Sequence, residues 1–316
     1  MLRVASIQME SLPGDTEANF ARVAALARAA ADRGARLAVF PECCLTGYWF
    51  LRHLGADALA ALAEPVPSGP LIRRLRGLAG DLGISIGAGL VEAGDDGHCY
   101  NAYVVALPDG TWHRHRKLHA FEHEAIRSGS SVTVFDLPGG WRVGVLICYD
   151  CNLVENVRLT ALQGADLLLA PHQTGAVRSR NPHLMGVIDR QLWENRHADP
   201  GSIEREFRGE KGRGWLMRWL PSRAHDNGMF LAFSNGVGVD DDEIRTGNAM
   251  ILDPYGRVLA ESGRAADDLV VADLDHGLLA EATGRLWMRA RRPDLYGPLA
   301  MPTGNERDTR TLKFQE

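Results

Sequence analysis

The chain has 316 residues, of which 45% are hydrophobic and 24% are charged, and its formal net charge is -5. This composition is typical of a folded protein with a substantial core and gives no indication of disorder. Because the 35 Lys and Arg residues are spread along the chain, we expect no nucleic acid partner. The opening residues lack the features of a secretory signal, and no apolar run approaches the roughly 20 residues that cross a bilayer. The sequence therefore predicts a cytoplasmic protein with no membrane partner.

In the first part of the chain, strand and helix patterns alternate, and a proline-glycine turn then marks a hairpin. The hairpin implies an antiparallel pair, so the predicted sheet is mixed. The predicted elements are a strand over 1–10, a helix over 19–31, a strand over 36–40, a helix over 70–83, a strand over 84–91, and hairpin strands over 100–107 and 111–115.

The second part continues the alternation but contains a long irregular stretch over 173–214, of a kind that usually covers a site or an interface. We found no short repeat and no low-complexity linker. We therefore expect one domain over 1–295, followed by an extended C-terminal segment over 296–316 at an oligomer interface. The other predicted elements are strands over 132–135, 141–147 and 167–171, helices over 153–163 and 215–225, and strands over 230–234, 248–252, 257–260 and 269–274.

Cys148 is the first candidate for chemistry because it lies between a buried strand and a predicted helix. A thiol at such a turn faces backbone N–H groups, which favours the thiolate and can hold an oxyanion. A small cysteine packed at a strand end fits the same local pattern, so both interpretations stay open at this point.

The five cysteines are an odd number, which predicts reduced thiols rather than a disulfide framework. Cys148 and Cys151 form a Cys-x-x-Cys pair, but zinc would need two further ligands and no second pair exists. A thioredoxin-like motif would lie early in a small domain, whereas this pair lies mid-chain. We expect Cys151 to pack in the first helical turn, as Cys43, Cys44 and Cys99 pack elsewhere.

Three further charged residues are candidates for chemistry only when they are considered together. Glu42 follows an apolar strand and could point into a cleft or cap backbone N–H groups, because ligands in α/β folds gather beyond strand carboxyl ends. Lys117 lies in a basic run, and Glu124 follows it beside Glu122. Taken singly, each of these residues fits a solvated or structural position.

Together, three blocks resemble the signatures of the nitrilase, or carbon–nitrogen hydrolase, superfamily. They are Phe40-Pro-Glu42, Arg116-Lys-Leu-His119 and Gly144-Val-Leu-Ile-Cys-Tyr-Asp150. The resemblance extends over most of the chain, from Val4-Ala-Ser-Ile-Gln8 to the Asp253-Pro-Tyr-Gly256 turn.

The resemblance implies an α/β fold, a four-layer α-β-β-α sandwich, and a Glu-Lys-Cys catalytic set that corresponds to Glu42, Lys117 and Cys148. For the second glutamate we favour Glu124, because Gly129 stands five residues behind it as in the amidase branch, with Glu122 as the alternative. The resemblance also implies a homodimer or larger homo-oligomer and requires no metal or organic cofactor.

The implied chemistry is hydrolysis of a non-peptide C–N bond through a Cys148 thioester. Small carboxamides rank first as substrates and N-carbamoyl amino acids second. Nitriles rank lower because Tyr149-Asp150 replaces the Trp-Glu that usually follows the nitrilase cysteine. A catalytically silent scaffold is disfavoured because every expected catalytic residue type is present.

Side chains near these blocks are candidates for binding the substrate. We expect Tyr48, Tyr149 and His172 to shape the pocket, each with packing as the competing interpretation. Cations in the irregular stretch could meet a substrate carboxylate, although arginines are more often solvated than ligand-bound. These cationic candidates are Arg178, Arg180 and His183.

Overall fold

The computed structural model describes residues 1–177, 179 and 181–315, except for the side chain of residue 315. Its strands are β1 (Leu2–Met9), β2 (Leu37–Val39), β3 (Glu64–Pro65), β4 (Ser85–Ala93), β5 (Cys99–Ala106), β6 (Trp112–Arg116), β7 (Ile126–Arg127), β8 (Thr133–Leu137), β9 (Trp141–Val145), β10 (Leu167–His172), β11 (Gly175–Ala176), β12 (Phe230–Asp240), β13 (Glu243–Thr246), β14 (Met250–Leu252), β15 (Val258–Glu261) and β16 (Asp268–Leu274). Its helices are α1 (Thr16–Asp32), α2 (Ala56–Leu62), α3 (Pro70–Leu82), α4 (Val154–Leu162), α5 (Arg190–Glu194), α6 (Pro200–Arg208), α7 (Arg213–Met217), α8 (Leu220–His225), α9 (Leu278–Glu281), α10 (Thr283–Arg289) and α11 (Thr309–Gln315).

Local sequence signals account for the first strand-helix-strand unit. The Asp15 side chain accepts a hydrogen bond from the Ala18 backbone N–H at 3.0 Å and caps the start of α1. Helix α1 then buries one stripe of small and apolar residues against the sheet, and β2 returns parallel to β1. Because β1 and β2 are parallel, the chain must cross over between them, and α1 lies in this crossover.

The strands are ordered β6-β5-β4-β2-β1-β12-β10-β9-β8. Strand β1 pairs in parallel with β2 and antiparallel with β16, and its last two residues pair in parallel with β12. This last pairing connects two halves of the sheet. Strand β10 is parallel to both β9 and β12, whereas β5 is antiparallel to β4 and β6. The predicted mixed sheet and its hairpin are therefore confirmed.

Alternation along the strands produces four layers. On β1, Val4 packs between the two halves of the sheet, whereas Ala5 and Ile7 face the cluster that includes α1 and α3. On β10, Leu167 packs in the central cluster, and Leu168 faces α4, α7 and α8. The layers are therefore helices, one half-sheet, the second half-sheet, and helices, as the predicted α-β-β-α sandwich requires.

Two regions differ from the sequence-based expectations. The irregular stretch contains the short helices α5 and α6, which periodicity over such short segments does not reveal. The end of the chain is not extended throughout, because residues 309–315 form α11. That prediction was wrong: the Asp308 side chain accepts from the Arg310 backbone N–H at 2.9 Å at the start of this helix, and Phe314 stacks on Trp49.

Candidate active site

The candidate residues meet because they follow strands that run in the same direction. Glu42 comes after β2, Lys117 directly after β6, and Cys148 three residues after β9. Strand β6 is antiparallel to β5 and β5 to β4, so β6 points the same way as β4 and β2. The carboxyl ends of these strands therefore lie at one edge, where α/β proteins bind their ligands.

Cys148 occupies a strained position at the turn after β9. Its φ is 50°, a left-handed conformation that non-glycine residues rarely adopt, and it opens a short 3-10 turn over Cys148–Asn152. The Sγ atom is half-buried and lies 3.9 Å from Thr174 Oγ1. The turn holds the sulfur at the edge of the sheet and places the Tyr149 N–H beside it, among the first N–H groups of a helical turn, which lack intrahelical partners.

The resting state of Cys148 differs from the expectation. Burial and the charge of Glu42 raise the pKa of this thiol to about 12, although Lys117 lowers it. The expected preference for the thiolate is therefore wrong for the free enzyme, because loss of water outweighs the favourable N–H groups. A thiol in this state can act as a nucleophile only if a neighbouring base takes its proton.

Lys117 is the central cation of the site. It is fully buried, and its Nζ donates to Glu42 Oε1 at 2.7 Å and to Glu122 Oε1. The ring of Phe121 lies 4.5 Å from Nζ. Burial by itself would lower the pKa of Lys117, but the two carboxylates raise it well above its ordinary value. Lys117 therefore stays charged throughout the neutral range.

Glu42 has one occupied and one free oxygen. Its Oε1 accepts from Lys117 and from Asn101 Nδ2, the latter also at 2.7 Å. Its Oε2 is buried and has no hydrogen-bond partner among the described residues. Burial raises the pKa of Glu42 to about 7, although Lys117 opposes this shift. A carboxylate with a free oxygen and such a pKa is suited to accept and return a proton near neutral pH.

The predicted position of the second glutamate was wrong. Glu124 is exposed, whereas Glu122 is fully buried and bonded to Lys117. Glu124 was preferred because Gly129 follows it by five residues, but this glycine does not indicate which glutamate is buried. The Gly129 N–H donates to the Lys117 carbonyl at 2.7 Å, and a Cβ there would lie 2.8 Å from the Arg116 Cβ. Gly129 therefore fixes the loop backbone without indicating which glutamate points inward.

Asp150 connects the lysine loop to the cysteine turn. Its buried carboxylate accepts backbone N–H bonds from Leu118 at 3.1 Å, His119 at 2.9 Å and Ile147 at 3.1 Å. One side chain thus fixes both segments that carry the reactive groups. In the sequence, Asp150 distinguishes branches of the family but was not predicted to position the site, although its place within the cysteine block could have suggested this role.

Two amides also hold the site and were missed. Asn101 Nδ2 donates to Glu42 Oε1 and, at 3.0 Å, to Glu122 Oε1. Gln173 Nε2 donates to the Glu42 carbonyl at 2.7 Å. Asn101 lies inside a predicted hairpin strand, where a polar residue facing the core is the available signal.

A cavity of about 320 Å³ opens beside Cys148. Tyr48 and Tyr149 line it, in agreement with their predicted place, but His172 does not. Burial lowers the pKa of His172 to about 3, and its ring packs 4.6 Å from that of Phe233. Its prediction as a binding residue was wrong because it ends β10 on the face towards the helices. The other residues that line the cavity are Trp49, Phe121, Cys148, Asn152, Gln173, Thr174, Gly175, Val177, Leu184, Met185, Trp215, Trp219, Glu243, Arg245, Leu312 and Lys313.

Three cationic residues of the irregular stretch were predicted to bind a substrate carboxylate. Arg178 and Arg180 lie outside the described residues, so their role stays a prediction. His183 is exposed and is not part of the cavity wall, although its neighbours Leu184 and Met185 are.

Two further observations concern the described residues as a whole. Nowhere in 1–177, 179 or 181–315 do three His, Cys, Asp or Glu side chains group so that they could hold a metal ion. Within the same ranges, every helix is too short or too polar to cross a membrane.

The fold and the charged cluster around Cys148 define a hydrolase of carbon–nitrogen bonds. The chain belongs to the carbon–nitrogen hydrolase family, whose model matches residues 3–283. The superfamily resemblance seen in the three sequence blocks is therefore confirmed.

The chain is similar to several known proteins over most of its length. A hydrolase in the pqqF 5' region of Pseudomonas protegens is 30% identical over 306 residues, which are 95% of this chain and 92% of the relative. The omega-amidase NIT2 of Xenopus tropicalis is also 30% identical, over 93% of this chain and 96% of the relative. A solved amidase from Nesterenkonia sp. AN1 has a TM-score of 0.67 at 24% identity, over 92% of this chain and 100% of that chain, and shares the fold.

Proposed function

We propose that the protein hydrolyses small carboxamides to the carboxylic acid and ammonia through a thioester on Cys148. One observation carries the proposal: a buried, charged lysine lies between two carboxylates at the edge where Cys148 lines a cavity. The name of the relative in Xenopus tropicalis, an omega-amidase, supports an amide rather than a nitrile substrate.

The first half of the reaction uses the free oxygen of Glu42. Glu42 Oε2 takes the proton of Cys148, and the sulfur attacks the amide carbon to form a tetrahedral oxyanion. Lys117 and the Tyr149 N–H stabilise that oxyanion, and each such donor typically contributes about 3–4 kcal/mol to the transition state. Glu42 then protonates the amide nitrogen, the C–N bond breaks, and ammonia leaves a thioester on the sulfur.

The second half repeats these steps with water as the nucleophile. Glu42 takes a proton from water, and the resulting hydroxide attacks the thioester carbon. The C–S bond breaks, the acid departs, and the proton returns from Glu42 to the sulfur. Splitting the reaction through the thioester is favourable because the amide is a poor electrophile with a poor leaving group. Glu122 keeps Lys117 charged and aimed while the charge on Glu42 changes.

A substrate panel and mass spectrometry test the proposal together. We expect ammonia release chiefly from small carboxamides when these are compared with nitriles and N-carbamoyl amino acids. An amide should leave its whole acyl group on Cys148, whereas an N-carbamoyl substrate would leave a carbamoyl group and release a free amine. If carboxamides are not hydrolysed and Cys148 carries a carbamoyl group, the substrates are N-carbamoyl amino acids rather than carboxamides.

Two cysteine variants serve as controls. Cys148→Ala should abolish hydrolysis without unfolding the protein. Cys151→Ala should leave substantial activity, because the buried Cys151 Sγ bonds to the Leu146 carbonyl at 3.4 Å and packs with the helices. Equal losses in both variants, with redox activity in the parent, would instead support a Cys-x-x-Cys function.

We also propose a homo-oligomer that works in the cytoplasm. The family resemblance supports the assembly. The five free thiols, Cys43, Cys44, Cys99, Cys148 and Cys151, support a reducing compartment.

A further inference from the structure

The C-terminal helix α11 folds back onto the loop that carries the charged cluster. The Arg310 side chain donates to the His123 carbonyl at 3.3 Å and to the Ile126 carbonyl. Four residues later, the ring of Phe314 stacks on Trp49 with a centroid distance of 6.1 Å. The first anchor lies in the loop that follows Lys117, and the second, Trp49, lines the cavity, so the end of the chain is fixed beside the candidate site.

Between these two anchors, Leu312 and Lys313 line the same cavity as Cys148. Lys313 is exposed, and its Nζ lies 5.6 Å from the Trp49 ring and 5.9 Å from the Phe121 ring. Lys313 forms no hydrogen bond or ion pair with any residue that the structure describes. It therefore offers a cation to whatever occupies the cavity.

The other charges in the cavity wall already have partners. Arg245 Nε donates to Asp240 Oδ2 at 2.8 Å, and its Nη1 lies 2.7 Å from Glu243 Oε2. Glu243 attracts Lys313 without forming an ion pair with it. Most of the remaining wall is aromatic or aliphatic, and such a wall screens charge less than water does.

The ring of Phe121 lies near both Lys313 and the lysine of the charged cluster, Lys117. The ring lies 4.5 Å from Lys117 Nζ and 5.9 Å from Lys313 Nζ. A short molecule can therefore present its amide carbonyl to Lys117 and a second group to Lys313 at the same time.

We propose that Lys313 binds an anionic group at the far end of the substrate, so that the preferred substrates are short carboxamides that also carry a carboxylate. This inference rests on the proposed amide hydrolysis and makes Lys313 a specificity-determining residue. The carboxylate does not react: it offsets the free ammonium and orients the amide towards Cys148.

A matched pair of amides tests the inference. Glutaramic acid carries a carboxylate, and glutaramide replaces it with a neutral amide of nearly the same shape. We expect the parent to favour glutaramic acid in kcat/KM by about ten-fold, the scale of one partly solvated charge pair. Lys313→Gln should remove this preference by raising KM for glutaramic acid about ten-fold more than KM for glutaramide. Lys211→Gln is the control, because Lys211 pairs with Glu206 outside the cavity and should keep the preference.

Binding measurements separate the inference from the proposed reaction. In full-length Cys148→Ala, calorimetry should show tighter binding of glutaramic acid than of glutaramide, and adding Lys313→Gln should abolish the difference. Equal binding of the two amides, or a preference that persists without Lys313, would overturn the inference and reduce Lys313 to a cation packed on aromatic rings. Absence of ammonia and of an acyl adduct in the parent would overturn the proposed function instead, whatever the binding difference.

Discussion

The carboxylate of Glu42 is buried beside Lys117, and burial raises its pKa to about 7. Below that pH Glu42 carries a proton and cannot accept the one on Cys148. We therefore expect kcat/KM for a carboxamide to fall as the pH drops below about 7 and to level off above it, in rate profiles between pH 5 and 9. A profile that stays level down to pH 5 would exclude Glu42 as the base.

Glu42→Gln is the companion variant for this profile. A carboxylate whose pKa is raised on folding contributes stability below its unfolded pKa and loses it as the pH rises through the folded pKa. At pH 8 the ionised Glu42 thus contributes no such stability, and Glu122 still pairs with Lys117. We expect the variant to unfold at nearly the same temperature as the parent while kcat falls by about 10²–10⁴.

The two glutamates after Lys117 should differ sharply. Glu122→Gln removes a buried charge bonded to Lys117 and should lower kcat by about 10²-fold or more, the scale of a lost electrostatic contact in a buried site. Glu124→Gln changes an exposed side chain and should leave kcat within about two-fold. Steady-state rates of both variants test this prediction, and the reverse ranking would restore Glu124 as the second glutamate of the site.

Asn101 is a positioning residue that acts through Glu42. Its Nδ2 hydrogen bond lowers the pKa of that carboxyl, against the larger effect of burial. We expect Asn101→Ala to lower kcat by about 10-fold, with little change in KM, and to move the midpoint of the pH profile upwards. A loss of rate with an unmoved midpoint would show that Asn101 acts through packing alone.

At the scale of elements, the turn after β2 depends on a glycine of the neighbouring strand β4. A Cβ on Gly89 would overlap the Cys43 backbone nitrogen and lie 2.8 Å from the carbonyl carbon of Glu42. We expect Gly89→Ala to displace the Glu42 turn, lower stability by about 1–3 kcal/mol and abolish most activity, as measured by thermal unfolding and rate.

Gly77 is the matched control for this change. It is exposed in the middle of α3, and a Cβ there would have no atom within 4 Å. Gly77→Ala should raise stability by roughly 0.5–1 kcal/mol because alanine favours the helix. Similar effects of both substitutions would show that the close approach at Gly89 is not required.

At the scale of the whole molecule, we expect the protein to form a homodimer or a larger homo-oligomer. Val154, Trp287 and Leu299 surround one groove and are 55%, 51% and 73% exposed. Large apolar side chains that are exposed around one groove favour a protein interface there. Light scattering should show a dimer or larger species, and Trp287→Glu with Leu299→Glu should shift it towards monomer.

Leu259→Glu provides the control for assembly, because Leu259 is 42% exposed on β15 and does not line that groove. It should leave the molecular mass unchanged. A monomeric parent at micromolar concentration would contradict the predicted oligomer. The proposed division into a domain over 1–295 and an extension over 296–316 also stays a prediction, although α11 packs against the rest of the chain.

The sequence by itself predicted the sandwich, which the structure confirms, and indicated Glu42, Lys117 and Cys148 as the candidate catalytic residues. Local alternation of apolar residues indicates the strands and helices, whereas the sandwich and the three candidate residues were inferred because the blocks around them resemble the family signatures. Both kinds of signal lie within short stretches of sequence, so they can be recognised without knowing the distant contacts.

Only the tertiary structure shows which glutamate faces Lys117 and where the C-terminal helix packs. Glu122 and Glu124 differ by two residues in one loop, and the loop's orientation depends on the distant carboxylate of Asp150. The pKa of Cys148 and the place of Lys313 likewise depend on burial and on segments far apart in the chain. Sequence patterns do not specify such contacts, because each requires the packing of segments that only the complete fold brings together.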